Sequence, residues 1–443
     1  MGLLKRLLGG LFGTSELPPE AGAAPGADSG GAHVTQSADK QFALVYSLLD
    51  AGKYDEALAA ALEATATPVI ADDFIPVAEG FLQGGHADHA RRILQQLIRS
   101  NPRNAALHER LALVALAGGH VAEAHDAAVH AETLDGTRPW PRVVVAECKL
   151  RAGRHDDAQA AYQSLADLGA EWLMCRTVRF DRAFFDELEA LDDDLAPPAV
   201  VVAPSSPDFD HVVLVSCDSA YFAQYAGSFV NAFARNGGTN GLLHLHVVDP
   251  APDFADRIAR LIAKTCIKNI AITSERMPFP ELQDIKRRTY YTCARFLHFG
   301  GWLEYYKRPI ACFDVDAIVE RPLAKLLDTC RNADLGLVSR VPPRAIWLDT
   351  VAYTVVARPT DAAAAYFRLL RRFLLCHAAK RHLYWQIDQI ALRCTLIMQQ
   401  RFANAPATVD IYDSIDDVAW LLARRRSGGK TGDPVYLAYQ IDI

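Results

Sequence analysis

A chain of 443 residues carries 46 Lys+Arg against 53 Asp+Glu, a formal net charge of −7, with 51% hydrophobic and 22% charged residues. That length accommodates two or three domains with full cores, and the acidic balance argues against nucleic acid as a partner, which normally demands a basic excess. No stretch approaches the roughly 18 consecutive apolar residues of a membrane span. The nine cysteines are scattered, odd in number and never spaced C-x-x-C. That pattern predicts free thiols in a reducing compartment, hence a cytoplasmic chain, not a disulfide framework or a zinc site.

In chain order, Leu3, Leu4, Leu7, Leu8, Leu11 and Phe12 follow the spacing of one helical face, with Lys5 and Arg6 on the other side. Residues 1–13 therefore read in one of two ways. They are an amphipathic tip that makes a peripheral contact with the inner face of a membrane or with a partner groove, or they are a frayed terminus. The second reading has weight because Gly9 and Gly10 each cost about 1 kcal/mol in a helix. The Gly, Ala, Pro and Ser that follow, through residue 37, read as a disordered tether.

Residues 38–192 read as an all-α repeat domain. A Gly-x-x-x-x-Ala pattern recurs as Gly52/Ala57, Gly85/Ala90, Gly119/Ala124 and Gly153/Ala158, at spacings of 33, 34 and 34. The glycine permits a tight helix–helix turn, and the small alanine lets two helices approach closely. Pro68, Pro102 and Pro139 are expected to stop second helices. The pattern resembles the tetratricopeptide repeat, which implies a short solenoid that binds a protein partner. The alternative is that the helices only support the next domain or dimerise.

Residues 193–208 are Pro-rich and read as a linker; Val200–Val202 has the pattern of a short edge strand, but the surrounding prolines favour a connector. From 209 to 443 strands and helices alternate: a buried strand at 211–218, helix from 222, strand 242–249, helix 252–265, strand 269–273, and a long helix 286–306 with a break expected at Gly300-Gly301. Such alternation implies a mainly parallel sheet covered on both faces. Ligands of such sheets bind beyond the carboxyl ends of the strands, where Asp218, Ser219, Asp249, Asp314 and Asp316 are expected.

The run Ala311–Val319 is read as one strand, which places Asp314 and Asp316 on the same face with Cα atoms about 7 Å apart. Two carboxylates on a buried strand are costly unless a divalent cation neutralises both. The basic, glycine-containing segment 424–430, with Arg424 and Lys430, reads as a loop that folds over an anionic ligand, or as a solvated charge run. His244, His246 and His298 have no metal-ligand spacing and are read as structural.

The segments Tyr291–Phe299 and Arg308–Leu323 resemble the GT-A-fold nucleotide-sugar transferases, most closely the retaining enzymes of glycosyltransferase family 8. The resemblance covers about residues 209–430. It implies a GT-A-like α/β transferase domain behind the tetratricopeptide-type solenoid, and a hexosyltransferase acting on a UDP-sugar with retention. It assigns Asp314 and Asp316 to Mn²⁺ or Mg²⁺, Asp218 and Tyr221 to the nucleobase, and Arg295 to the nucleotide. Asp388 and Gln389 fall beside the sugar. Two family features are missing: a histidine near the carboxyl end, the last one here being His382, and an Asn-x-Gly on the acceptor-side strand. A non-catalytic repeat scaffold with a degenerate transferase-like domain is therefore the alternative. A phosphatase of the haloacid-dehalogenase type also uses Asp-x-Asp, but on its first strand.

Overall fold

The fourfold glycine signature becomes four turns of one kind. Gly52, Gly85, Gly119 and Gly153 take φ of 71°, 82°, 80° and 73°, the left-handed region that a side chain disfavours. Each closes the helix before it in the same way. Gly85 N–H donates to Leu82 O at 3.1 Å and His86 N–H to Phe81 O at 2.8 Å; Gly119 and His120 repeat this with Leu116 and Ala115 at 3.2 and 2.8 Å. The chain then reverses into the next helix, whose Ala57, Ala90, Ala124 or Ala158 is fully buried.

The computed structural model describes residues 42–65, 74–192, 195–237, 240–339, 345–416, 418–420, 434–441 and 443. Residues 1–13, Pro68, Arg424 and Lys430 lie outside that set. The chain divides into two compact units, Met1–Ala161 and Tyr162–Ile443. The first is all helical: residues 42–50, α1 (Tyr54–Thr65), α2 (Ile75–Gln83), α3 (Ala87–Ser100), α4 (Ala105–Ala117), α5 (Val121–Leu134), α6 (Pro139–Arg151) and α7 (His155–Ser164), the last crossing the boundary. Pairs one period apart tie successive repeats, such as His89 to Asp55 at 3.0 Å and Arg91 to Glu123 at 3.2 Å. Pro102 follows the end of α3 as expected. Pro139 does not stop a helix; it opens α6, where its missing N–H would have lacked a partner anyway.

The second unit begins earlier than the sequence suggests. Residues 162–192 belong with it, because α8 (Arg182–Glu189) packs Phe184 on Phe373 and Phe185 on Phe402, ring centroids 5.5 Å apart in both pairs. The Pro-rich segment is also more than a linker. Its β1 (Ala199–Val202) pairs antiparallel with β4 (Ile270–Glu275) at the sheet edge, where prolines are tolerated. The other strands are β2 (His211–Asp218), β3 (Gly241–Val248), β5 (Ile310–Asp314), β6 (Ile318–Val319), β7 (Leu335–Ser339), β8 (Thr350–Ala357), β9 (Thr408–Asp410) and β10 (Ala419–Trp420).

The main sheet has eight strands in the order β1-β4-β3-β2-β5-β8-β7-β9. β4, β3, β2 and β5 are parallel, while β8 enters antiparallel to β5. The chain builds outward from β2 through β3 to β4, then crosses back and lays β5 on the other side of β2. That reversal of direction opens a crevice at the carboxyl ends of β2 and β5.

Strand alternation sorts the side chains. Val213, Val215, Leu245, Val247, Ile272 and Phe313 face a core shared with α9 (Gly227–Asn236) and α10 (Phe254–Thr265). The opposite face lies under α11 (Asp284–Tyr306), which runs through Gly300-Gly301 without a break. Gly300 lies against Phe367 of α12 (Asp361–Ala379), close enough that a Cβ there would sit 3.5 Å from it. α13 (Ile387–Phe402) completes the helices that concern the site.

Candidate functional site

The crevice is a cavity of about 830 Å³, within the ~300–1,000 Å³ typical of small-molecule sites. Its walls come from the end of β2 (Ser216, Asp218), the turn after it (Tyr221), one face of α11, the end of β5, and Trp385. Of the five polar residues expected at this edge, Asp218, Asp314 and Asp316 line the cavity. The other two have local work: Ser219 Oγ accepts from Ala251 N–H at 3.0 Å, and Asp249 binds Arg287, Tyr291 and the Met277 N–H, which tethers the start of α11.

The Asp-Val-Asp run is not one strand. β5 ends at Asp314, Val315 and Asp316 form a turn, and Ala317 N–H donates to Asp314 O at 3.1 Å. The two carboxylates reach one cavity because a turn brings them there, not because they alternate on a strand. Burial pushes the Asp314 carboxyl up to about 6; neighbouring Asp316 adds to this and Arg295 opposes it.

Arg295 is 4% exposed, with its guanidinium bonded to Asp314 Oδ1 and 3.9 Å from Asp388 Oδ2. Burial works against its charge, and the carboxylates of Asp314 and Asp388 more than offset that. Its Nε is buried without a hydrogen-bond partner. Asp388 itself is buried, which raises its pKa against the pull of Arg295. It stands behind Arg295 instead of on the cavity wall, and its Oδ1 accepts the Gln389 N–H at 2.9 Å. From that segment Trp385 reaches the cavity, 57% exposed. Gln386 makes this possible by taking φ of 71° just before α13. The Gln389 side-chain oxygen is buried without a partner.

Asp218 caps the short helix Ser219–Tyr221, its Oδ1 accepting Tyr221 N–H at 2.7 Å, so its capping role is real and coexists with its place on the cavity wall. Phe222–Ala226 then forms one π-turn, a feature that often marks functional sites. Tyr221 is 41% exposed, with its ring 5.1 Å from that of Tyr225.

Sequence reasoning overlooked Arg288, Tyr291 and Trp385. The first two had a readable signal: 288, 291 and 295 fall at i, i+3 and i+7, one face of a helix. Trp385 had none, since it depends on the left-handed Gln386.

No protein-family model matches the chain, and no curated protein does. Solved structures similar to parts of it include a mutant of MamA, 19% identical over 30% of this chain and 98% of that one, TM-score 0.25. Another is TTC0263, a tetratricopeptide-repeat protein of Thermus thermophilus, 25% identical over 33% of this chain and 81% of that one, TM-score 0.26. A third is the bifunctional glycosyltransferase WbbM, 16% identical over 44% of this chain and 38% of that one, TM-score 0.30. Likenesses this partial carry no weight in assigning a function.

Proposed function

We propose that the chain is a metal-dependent glycosyltransferase that takes a nucleotide-sugar, a UDP-sugar with retention in the leading form, to a glycan or protein acceptor. The observation that carries this reading is the convergence, at the β2/β5 crevice, of Asp314 and Asp316 with Arg288 and Arg295 in one cavity of about 830 Å³. Departure of a nucleoside diphosphate builds negative charge, and fixed cations in a low-dielectric site stabilise it. The buried Arg295 is assigned that role, and the exposed Arg288 adds charge at the cavity wall. Tyr221 and Trp385 offer exposed rings for the base or sugar to lie against, and Asp218 offers a carboxylate oxygen to the base. Asp388 holds Arg295 in place; with Gln389 it is proposed to meet the sugar once the donor is seated.

The donor set fits a hard divalent ion such as Mn²⁺ or Mg²⁺: two carboxylates on one wall, one of them raised by burial and by the other's charge. Asp314 and Asp316 would hold it, and when bound it supplies Lewis-acid stabilisation of the leaving diphosphate. Arg424 and Lys430, outside the described residues, are proposed to bind the donor, and the repeats to hold a protein partner. Among the described residues no helix is long and apolar enough to cross a membrane.

The test is release of UDP from UDP-sugars by the full-length chain with Mn²⁺, in wild type and Asp314→Asn. Turnover that needs Mn²⁺ and is lost in the variant supports the assignment. Undiminished turnover in Asp314→Asn sinks the metal role.

One observation favours a second reading, a transferase-like domain without chemistry. Arg295 already occupies Asp314 Oδ1, an internal counter-ion where a metal ligand is needed. In that case Mn²⁺ gives no binding heat at the cavity, and Asp314→Asn costs stability instead of turnover.

A further inference from the structure

Under the same helix that serves the cavity lies a second polar cluster. β3 and β4 turn His244, His246, Thr273 and Glu275 to the α11 side of the sheet, since their neighbours Leu243, Leu245, Val247, Ile270 and Ile272 face the other core. α11 sets His298 against them, one turn after Arg295. Among the described residues, His246, Glu275 and His298 are the group of metal-ligating side chains whose donor atoms all lie within 4.8 Å of one another. His246 is 0% exposed, His298 6%, and the Glu275 side chain 10%.

One of the two distances suits a small cation as it stands, and the other is a hydrogen bond that an ion would replace. His298 Nε2 is 2.7 Å and His246 Nε2 3.4 Å from the two oxygens of Glu275. Ligands about 2.0–2.2 Å from a tetrahedral ion lie roughly 3.3–3.5 Å from one another, which the His246–Glu275 spacing meets; at 2.7 Å His298 Nε2–H donates to Glu275, and an ion taking that proton's place would move the two apart by about 0.7 Å. The remaining contacts orient the rings. His246 Nδ1 is 3.0 Å from Thr273 Oγ1, which is 2.9 Å from His244 Nε2, and His244 Nδ1 is 3.2 Å from the Tyr306 hydroxyl. When His246 Nδ1–H donates into this chain, Nε2 turns a lone pair toward an anionic carboxylate. That Nε2 is buried with no hydrogen-bond partner. In that tautomer the lone pair and the carboxylate repel unless a cation lies between them, whereas the reverse tautomer points Nε2–H at Glu275 Oε1 from 3.4 Å. A ligating histidine usually donates its other ring N–H to a carboxylate, a backbone carbonyl or water, and here the Thr273 hydroxyl takes that place.

We propose that His246, Glu275 and His298 form a second metal site that takes a divalent transition ion of the Zn²⁺ class and staples α11 to the β3–β4 edge. Two imidazoles and one carboxylate select such an ion over Mg²⁺ or Ca²⁺, which prefer oxygen. The site is independent of the Asp314/Asp316 pair. Its consequence for the cavity is positional, because α11 carries Arg288, Tyr291 and Arg295.

The experiment uses full-length protein stripped with a chelator and titrated with Zn²⁺ against a competing chromophoric chelator. Wild type and the Asp314→Asn/Asp316→Asn double variant are expected to bind one tight equivalent each, since two carboxylates without a nucleotide do not take Zn²⁺ from the chelator, and His244→Gln is expected to keep it. His246→Gln and His298→Gln are expected to lose more than the ~10–100-fold in affinity that an outer partner costs. Zn²⁺ is also expected to raise the Tm of wild type, and Co²⁺ to give the visible bands of a tetrahedral site. That spectrum is read on wild type, so a variant that fails to fold does not obscure the answer. Absence of stoichiometric Zn²⁺ in wild type, a Co²⁺ spectrum without tetrahedral bands, or undiminished binding in both histidine variants overturns the proposal and leaves a hydrogen-bonded triad.

Discussion

The two units store their structural information at different distances along the chain. In the helical unit each turn is set within six residues, by a left-handed glycine and the alanine five positions later, and the motif repeats every 33 or 34 residues. In the α/β unit the cavity joins residues from Ser216 to Trp385, on three strand ends or turns and one helix face. A local code tolerates the loss of one copy, since neighbouring copies carry the rest. A convergent site has no spare copy. Substitutions should therefore act gradually in the first unit and steeply in the second.

The steepest expected effect is at the Arg295–Asp314 pair. Replacing Arg295 with Leu takes the counter-ion from Asp314, 37% exposed at the cavity wall, and leaves the Asp388 carboxyl buried without a cation, which costs about 3 kcal/mol, and donor turnover with it. The double variant Arg295→Leu/Asp388→Asn should regain much of that stability in urea melts but no turnover, separating folding from chemistry. Next comes Ala124→Leu, which forces a large side chain into a fully buried inter-helix contact. It should destabilise the helical unit by about 1–3 kcal/mol while leaving turnover on a simple acceptor unchanged. Gly119→Ala is smaller, about 1 kcal/mol, because the open space around its Cβ leaves only the backbone penalty of its φ of 80°. Equal costs at Gly85 and Gly153 would confirm that the turns are equivalent, and a tenfold spread in folding constant would break that equivalence.

Last is acid sensitivity from His377 on α12, negligible near neutrality and growing as the pH falls. Burial holds its imidazole down to about 3, aided by His382, Lys380 and Arg179 and opposed by Glu187. The unfolded chain takes up a proton near pH 6.5 that the folded chain refuses until about pH 3. Stability is thus full above 6.5 and falls below it, by at most ~1.4 kcal/mol per pH unit for one group. His377→Phe should flatten that part of the urea-melt profile between pH 6.5 and 4.5.

Much of the fold was legible because its signals are local. The glycine period, the apolar runs of β2 and β3 and the length of α11 all follow from near neighbours. β1 was misread because proline argues against a central strand and says nothing against an edge. The Asp-Val-Asp run was misread as extended because alternation alone does not reveal where a strand stops, and after the turn at Val315-Asp316 the chain leaves the main sheet for β6, which pairs with the distant β10. Asp314, Asp316, Asp218, Tyr221 and Arg295 do share a cavity, whereas Asp388 sits one layer behind it. The histidine cluster was invisible for a physical reason: His246, Glu275 and His298 meet only once β3, β4 and α11 are assembled, and no spacing along the chain encodes that.

The central claim is that the β2/β5 crevice holds a nucleoside diphosphate together with a divalent ion on Asp314 and Asp316. Calorimetric titration of UDP into the full-length chain, with and without Mn²⁺, tests it directly. The account predicts saturable one-to-one binding that requires Mn²⁺ and disappears in Asp314→Asn; absence of binding heat, or the same heat in the variant, would contradict it.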